Sequence, residues 1–475
     1  MKSILLLAVL PAVVLCGVEE CLRELGTPTV NQASGNYSKV NYNYNTRHNF
    51  NPLLYVVARD VVDVQNAVKC AVNHNIPISA RSGGHSYEGY SQGGRNGDVI
   101  VDLSNLNNIQ IDKSTKTAIV GAGSLLGPTY YKLFKGGGFG IPAGSCPQVG
   151  IGGHALGGGF GLFSRKYGMV SDNVLEIQIV NPSGQLLVAN TNQNSDLFWA
   201  LRGGGQGSFG IVTSFKFKLF TPPSKVTTFS YSWDYKQFNL VYKAFQDWAF
   251  TNPSEDVGPN MYVDRNGIVL QGVFQGPKAE LSQHLSGILS ASPQPSNVAI
   301  KEGSFLDAVS YFSGMSGGVE ALANIKFGQG RRTYMKAHSA IIQKPITTQG
   351  IQVLRDTLAK APGYGYFLFD LYGGAIARVN GNTTAFLHRG GADIITQMVI
   401  QPPTATDLDK TWLTEAYQSV KPYFSSAAYQ NYIDRDLQNW QTAYFGENLN
   451  RLVQVKKVYD PTNVFNFAQS IPLNV

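Results

Sequence analysis

The apolar positions from Leu53 run almost unbroken through "LLYVVAR", which predicts a buried strand. Behind Asp60 the period changes: Val61, Val64, Val68, Ala71 and Val72 recur at helical spacing, and the Asp60 carboxylate suits an N-cap. A second apolar run, "IPISA", predicts another strand, which delivers the chain into "RSGGHSYEGYSQGG", residues 81–94. The runs "DVIVDL", "IQI" and "TAIVGAG" predict further short strands separated by turn residues. Two more glycine-dense blocks follow, Gly144 to Gly161 and "LRGGGQGSFG" from Leu201. After Phe220 the texture changes. "TPPSKV" predicts a crossing segment, and from Thr227 to Ile400 β-rich runs such as "YFLFDLYGG" and "TQMVIQ" mix with helical patterns. That region predicts a separate α+β unit, an antiparallel sheet with helices on one face. The last part, "NLNRLVQVKKVYDPTNVFNF", predicts an amphipathic helix stopped near Asp460-Pro461.

With 475 residues the chain exceeds one ordinary hydrophobic core, so two domains are expected, and 43% hydrophobic composition is ample for both. Its 38 Lys+Arg against 31 Asp+Glu give +7, but the excess is scattered and forms no basic stripe of the kind that binds nucleic acid. The start, "MKSILLLAVLPAVVLCG", has a lysine, an apolar run and then small residues, which predicts a cleaved secretory signal over residues 1–17. The run is too short to span a bilayer comfortably, and no later stretch reaches the roughly 20 apolar residues of a membrane helix. A secreted, extracellular protein with no membrane anchor is therefore expected. Of four cysteines Cys16 lies in the signal; Cys21 and Cys70 are the expected disulfide in an oxidising compartment, which leaves Cys146 as an odd thiol. Two sequons, "NYS" at Asn36 and "NTT" at Asn382, fit extracellular glycosylation.

Three glycine-dense blocks in one half suggest a bound anion or flat cofactor, because glycine lets backbone approach closely. A dinucleotide fold of the Rossmann type is disfavoured: "GGHALGGGFG" is not followed by a clean strand, turn and helix with an acidic ribose partner. No block is followed by "GK[ST]", which excludes a P-loop, and His85, Cys146 and His154 share no zinc-ligand spacing. Taken alone, His85 reads as a turn histidine, Cys146 as a buried thiol, and His154 as lining a pocket or satisfying its own loop.

Taken together, "RSGGHSYEGYSQGG", "GSCPQVGIGGHALGGGFG", "DLFWALRGGGQGSFGIVT" and "VYDPTNVFNFAQSIP" resemble the berberine-bridge-enzyme-like FAD-linked oxidases of the vanillyl-alcohol-oxidase superfamily. The resemblance implies an α+β fold: a two-part PCMH-type FAD-binding domain, residues 18–220 and 421–475, around a substrate domain, residues 221–420. It implies FAD attached twice, through His85 to the 8α-methyl carbon and through Cys146 to C6. Both are nucleophile types that suit an electron-poor ring. Gly83, Gly84, Gly152, Gly153 and Gly157 are then expected against the cofactor, with backbone N–H groups as donors. Val149 falls where the family places a gatekeeper beside C4a, and valine there favours reaction with oxygen. Tyr444, in "AYFGENLNRL", is expected as the catalytic tyrosine and Asp370 as its acidic partner, with Tyr87 and Gln397 on the substrate side. A phenol has a pKa of about 10, so such a tyrosine needs the carboxylate as a proton relay.

The signal, the sequons and the Asp370/Tyr444 pair resemble the secreted oligosaccharide oxidases, which oxidise the reducing-end C1 hydroxyl to a lactone and reduce O2 to H2O2. Leu368 departs from that pattern, since those enzymes tend to present a polar sugar contact there. A small or aromatic alcohol, or another electron acceptor, is the alternative, and a sugar-binding protein that retains flavin without turnover is a third reading. A monomer is expected.

Overall fold

A computed structural model describes residues 17–402 and 407–474; the predicted signal, apart from Gly17, lies outside the described residues. The first strands are β1 (Thr29–Asn31), β2 (Leu54–Val57), β3 (Ile78–Arg81) and β4 (Val99–Asp102), forming a four-stranded sheet in the order β1-β2-β4-β3. β4 runs parallel to both β2 and β3. Helix Val61–Asn73 makes the crossover from β2 to β3, and Asp60 caps it by accepting from the Val62 and Asp63 N–H groups. Cys70 on this helix forms a disulfide with Cys21, joining the N-terminal helix of residues 17–24 to the sheet's helical cover.

The next strands, β5 (Ile109–Asp112), β6 (Thr117–Gly121), β7 (Val174–Val180), β8 (Leu186–Asn190) and β9 (Ile211–Lys218), form an antiparallel five-stranded sheet in the order β5-β6-β9-β7-β8. Val68, Val101, Val120, Ile177 and Phe215 are fully buried between the two sheets and their helices. Beyond the crossing at 221–225 come β10 (Val226–Asp234), β11 (Val257–Asp264), β12 (Gly267–Phe274), β13 (Asn297–Gly303), β14 (Lys336–Ile342), β15 (Gly365–Leu371) and β16 (Ile394–Ile400). They make one antiparallel sheet in the order β13-β10-β12-β11-β15-β16-β14.

The period of two divides this sheet cleanly. Met261, Leu270, Phe367, Phe369 and Met398 point into a second core with helices Phe238–Ala249, Leu281–Leu289, Thr348–Ala359 and Asp407–Val420. The alternate positions, Asn260, Gln271, Leu368, Asp370 and Gln397, line a cavity against the first half of the chain.

Two segments return to the first core. Phe305, Leu306 and Leu322, from helices Phe305–Phe312 and Gly318–Ala323, pack there although their sequence lies in the middle of the span 221–420. Ala428, Tyr444, Leu452, Phe465 and Ile471 of the last segment do the same. Helix Leu449–Tyr459 ends at Asp460, where the fully buried Lys456 ammonium meets the Asp460 carboxylate at 2.6 Å and the Ser208 and Phe465 carbonyls at 2.7 and 2.8 Å. That pairing offsets the cost of burying both charges. No described helix is long and apolar enough to cross a membrane.

Candidate active site

β3 ends at Arg81, whose buried guanidinium pairs with Asp102, donates to the Val40 carbonyl at 2.6 Å and lies over the Tyr55 ring. From that fixed point the first glycine loop passes directly over the second. A Cβ on Gly83 would run into the Gly150 backbone nitrogen, and one on Gly150 into that of Gly83, so both positions exclude a side chain. The two loops together wall one end of a cavity of about 510 Å³.

His85 opens onto this cavity and stacks on Tyr44, with ring centroids 3.6 Å apart and planes 17° from parallel. Burial holds its imidazole neutral, at a pKa lowered to about 3. Cys146 faces the same space. The residue is exposed yet surrounded by protein, because it lines the cavity, and burial pushes the thiol above its usual range. His154 accepts a 3.0 Å hydrogen bond from the Gly144 N–H through Nε2, so it braces the turn that carries Cys146. Burial keeps it neutral too, at about 4.

Val149, Gly84, Gly152 and Gly153 line the cavity as well, and the space above Gly153 is open. Gly157 is not among the lining residues; a Cβ there would strike the side chains of Asn431 and Gln206, which do line the cavity, so the glycine makes room for their packing.

The opposite wall is the cavity face of the large sheet. Asp370 Oδ1 accepts from Asn260 Nδ2 at 2.7 Å, and Oδ2 from the Tyr432 hydroxyl at 3.4 Å. Burial raises the Asp370 carboxyl to about 6, against those two hydrogen bonds. The Tyr432 phenol stands well above its ordinary value, first through burial and then through the Asp370 charge. Gln397 donates to the Tyr87 hydroxyl at 3.0 Å, and the Tyr87 and Tyr432 rings lie parallel with centroids 6.0 Å apart.

Tyr444 is absent from this group. Its hydroxyl accepts from the Asp434 N–H at 3.0 Å, and its ring is buried in the first core. Helix Trp440–Phe445 turns that side chain inward, whereas the preceding "YQNY", 429–432, runs along the cavity. The sequence carries no local signal that marks this stretch over the one around Tyr444, which is equally set among amides. Tyr429 ties this stretch to the second glycine block: its hydroxyl oxygen takes hydrogen bonds from the Gly159 and Phe160 N–H groups and from Asn431 Nδ2, at 3.1, 3.2 and 2.8 Å. Behind it, the buried Lys336 ammonium on β14 binds Asp434 and, at 3.0 Å, Glu88, three residues beyond His85. Asn36 and Asn382 both lie exposed.

The lining fits a flavin. Among the described lining residues Asp370 is the only carboxylate and there is no lysine or arginine, so the space suits a flat, largely neutral ring. A neutral imidazole and a thiol, the donor types for carbon–nitrogen and carbon–sulfur bonds to such a ring, both open onto it.

Comparison with known proteins agrees. Residues 52–190 match the family model "FAD binding domain", and residues 428–472 match "Berberine and berberine like". The uncharacterized FAD-linked oxidoreductase YgaK of Bacillus subtilis is 32% identical over 446 residues, covering 92% of this chain and 94% of its own. The structure of BBE-like 1 from Physcomitrella patens superposes with a TM-score of 0.92 at 37% identity, covering 96% of this chain and 99% of that one. Glucooligosaccharide oxidase from Acremonium strictum, described with a 6-S-cysteinyl, 8α-N1-histidyl FAD, gives a TM-score of 0.88 at 25% identity over 96% of this chain and 99% of its own. With relatives matched along nearly its whole length, the chain belongs to the berberine-bridge-enzyme-like family of FAD-linked oxidoreductases.

Proposed function

We propose that the protein is a secreted oxidase that converts the reducing-end C1 hydroxyl of an oligosaccharide to the lactone and reduces O2 to H2O2. The observation that carries the reading is the Asp370–Tyr432 pair standing across one cavity from His85 and Cys146. FAD, when bound, supplies the two-electron acceptor for the hydride that leaves C1. His85 and Cys146 would hold it covalently, in the domain built from residues 18–220 and 421–475.

The protein's own part is the proton. A phenol raised well above 10 is no base at neutral pH, so Tyr432 takes the substrate's hydroxyl proton only as its own passes to Asp370 Oδ2. The carboxylate is available for that above about pH 6. Tyr87, oriented by Gln397, is placed to hold the reacting hydroxyl. The amides Asn260, Gln271, Gln397 and Gln401 supply donors and acceptors for a neutral polyol, and tyrosines beside them supply faces for sugar rings. Val149 beside the cavity leaves room for O2. The predicted signal, the Cys21–Cys70 disulfide and the exposed sequons at Asn36 and Asn382 support secretion and glycosylation.

Leu368 on the same wall favours a second reading, an aromatic or other small alcohol, because it offers a sugar no hydrogen bond. Incubation with cello-, xylo- and chito-oligosaccharides and with aromatic alcohols, measuring peroxide and flavin bleaching, separates the two. Peroxide with sugars is expected. Bleaching without peroxide would point to another acceptor, and no bleaching with any of them would overturn the oxidase reading. Tyr432→Phe is expected to slow flavin reduction at least about 100-fold. Tyr444→Phe leaves it near wild type.

A further inference from the structure

One row of polar side chains crosses three strands on the cavity face of the large sheet. Gln271 on β12 pairs directly with Asn260 on β11, and Asn260 with Asp370 on β15. The row is hydrogen-bonded throughout: Gln271 Nε2 donates to Asn260 Oδ1 at 3.2 Å, and Asn260 Nδ2 donates to Asp370 Oδ1 at 2.7 Å. An ionised carboxylate only accepts, so Asn260 must present its NH2 to Asp370 and its carbonyl to the far side, where Gln271 stands as donor. Reversing the Asn260 amide would set oxygen against oxygen on one side and NH2 against NH2 on the other. The relay atom, Oδ2, is left facing Tyr432.

We propose that Asn260, with its amide locked by Gln271, is a positioning residue that aims the Asp370 carboxylate at Tyr432 and keeps it ionisable in the working pH range. The inference rests on the relay assigned to Asp370 and Tyr432. Among the described residues, the hydrogen bonds on Asp370 come from Asn260 and Tyr432. The other titratable groups facing it are the phenols of Tyr372 at the end of β15 and Tyr429 on the last segment, and neither is a cation. Asn260 and Asp370 are 8% and 4% exposed, so bulk water poorly replaces a lost bond. Without the Asn260 N–H, burial is opposed only by Tyr432, and the carboxyl holds its proton to higher pH.

The test is the pH profile of anaerobic flavin reduction in purified holoenzyme carrying Asn260→Leu, Gln271→Leu or Asp370→Asn, with KM and kcat measured separately. Asn260→Leu is expected to move the ascending limb upward by about one pH unit, equivalent to roughly tenfold in rate on that limb, whatever KM does as the same amide is lost from the substrate cavity. Gln271→Leu moves the limb the same way by less, and carries the test alone should Asn260→Leu fail to fold. A limb that stays in place in both variants, with or without a higher KM, overturns the inference. Survival of the limb in Asp370→Asn would instead overturn the relay beneath it.

Discussion

His85 and Cys146 enter the cavity in different protonation states, and that difference has a measurable consequence. The imidazole, held at about 3, is neutral and nucleophilic at any working pH, whereas the thiol, raised by burial, is mostly protonated. Acid-precipitated wild-type protein is expected to stay yellow, and His85→Ala with Cys146→Ala to release its flavin. In Cys146→Ala, attachment of added FAD should be flat with pH above about 5, given an imidazole lowered to about 3. In His85→Ala it should rise with pH, and intact mass after denaturation reads both. At this scale the sequence was most legible where the chemistry is local: one glycine loop carries His85 and Tyr87, and strand parity puts Leu368 and Asp370 on one face. It was least legible for the last segment. Which tyrosine faces the cavity is set by Ser425 donating to the Ile341 carbonyl and by the Tyr429 N–H donating to Ser339 Oγ, contacts to β14 some 84 and 90 residues away. No local pattern separates Tyr432 from Tyr444.

Among the elements, the crossover helix Val61–Asn73 was readable to its cap because its period, Asp60 and Cys70 all agree. The disulfide closes a separation of 49 residues, for which loop entropy gives about 4 kcal/mol of stabilisation as an upper figure. Cys21→Ser with Cys70→Ser is expected to lose 2 to about 4 kcal/mol in guanidinium unfolding, with flavin binding retained in the folded fraction. The return of helices Phe305–Phe312 and Gly318–Ala323 to the first core was not readable. Their apolar faces fit either core, and only packing on helix Leu126–Gly137 decides between them.

For the whole molecule, the charged junction at Lys336 sets the acid limit. Burial raises the Glu88 carboxyl, but the His48 hydrogen bond and the Lys336 and Arg47 charges outweigh it and hold it at about 2. A depressed carboxyl contributes its stability above the unfolded value of about 4.3 and loses it as pH falls through about 2, on the order of 3 kcal/mol in all. Asp370 works the other way, costing stability as pH rises from about 4 to 6. The melting temperature should therefore fall between pH 4.5 and 2, and Glu88→Gln, although less stable at pH 5, should fall less over that range. Because the junction joins the His85 loop to the Tyr432 segment through β14, acid should loosen both walls of the cavity together.

On the proposed linkage, Cys146 at the cavity wall also makes the molecule its own gauge of loading. A small alkylating reagent that diffuses into the cavity marks chains lacking cofactor and spares those whose sulfur is already bonded. The marked fraction then gives the stoichiometry of a preparation without any assay of turnover, and the largest reagent that still marks it measures the width of the entrance.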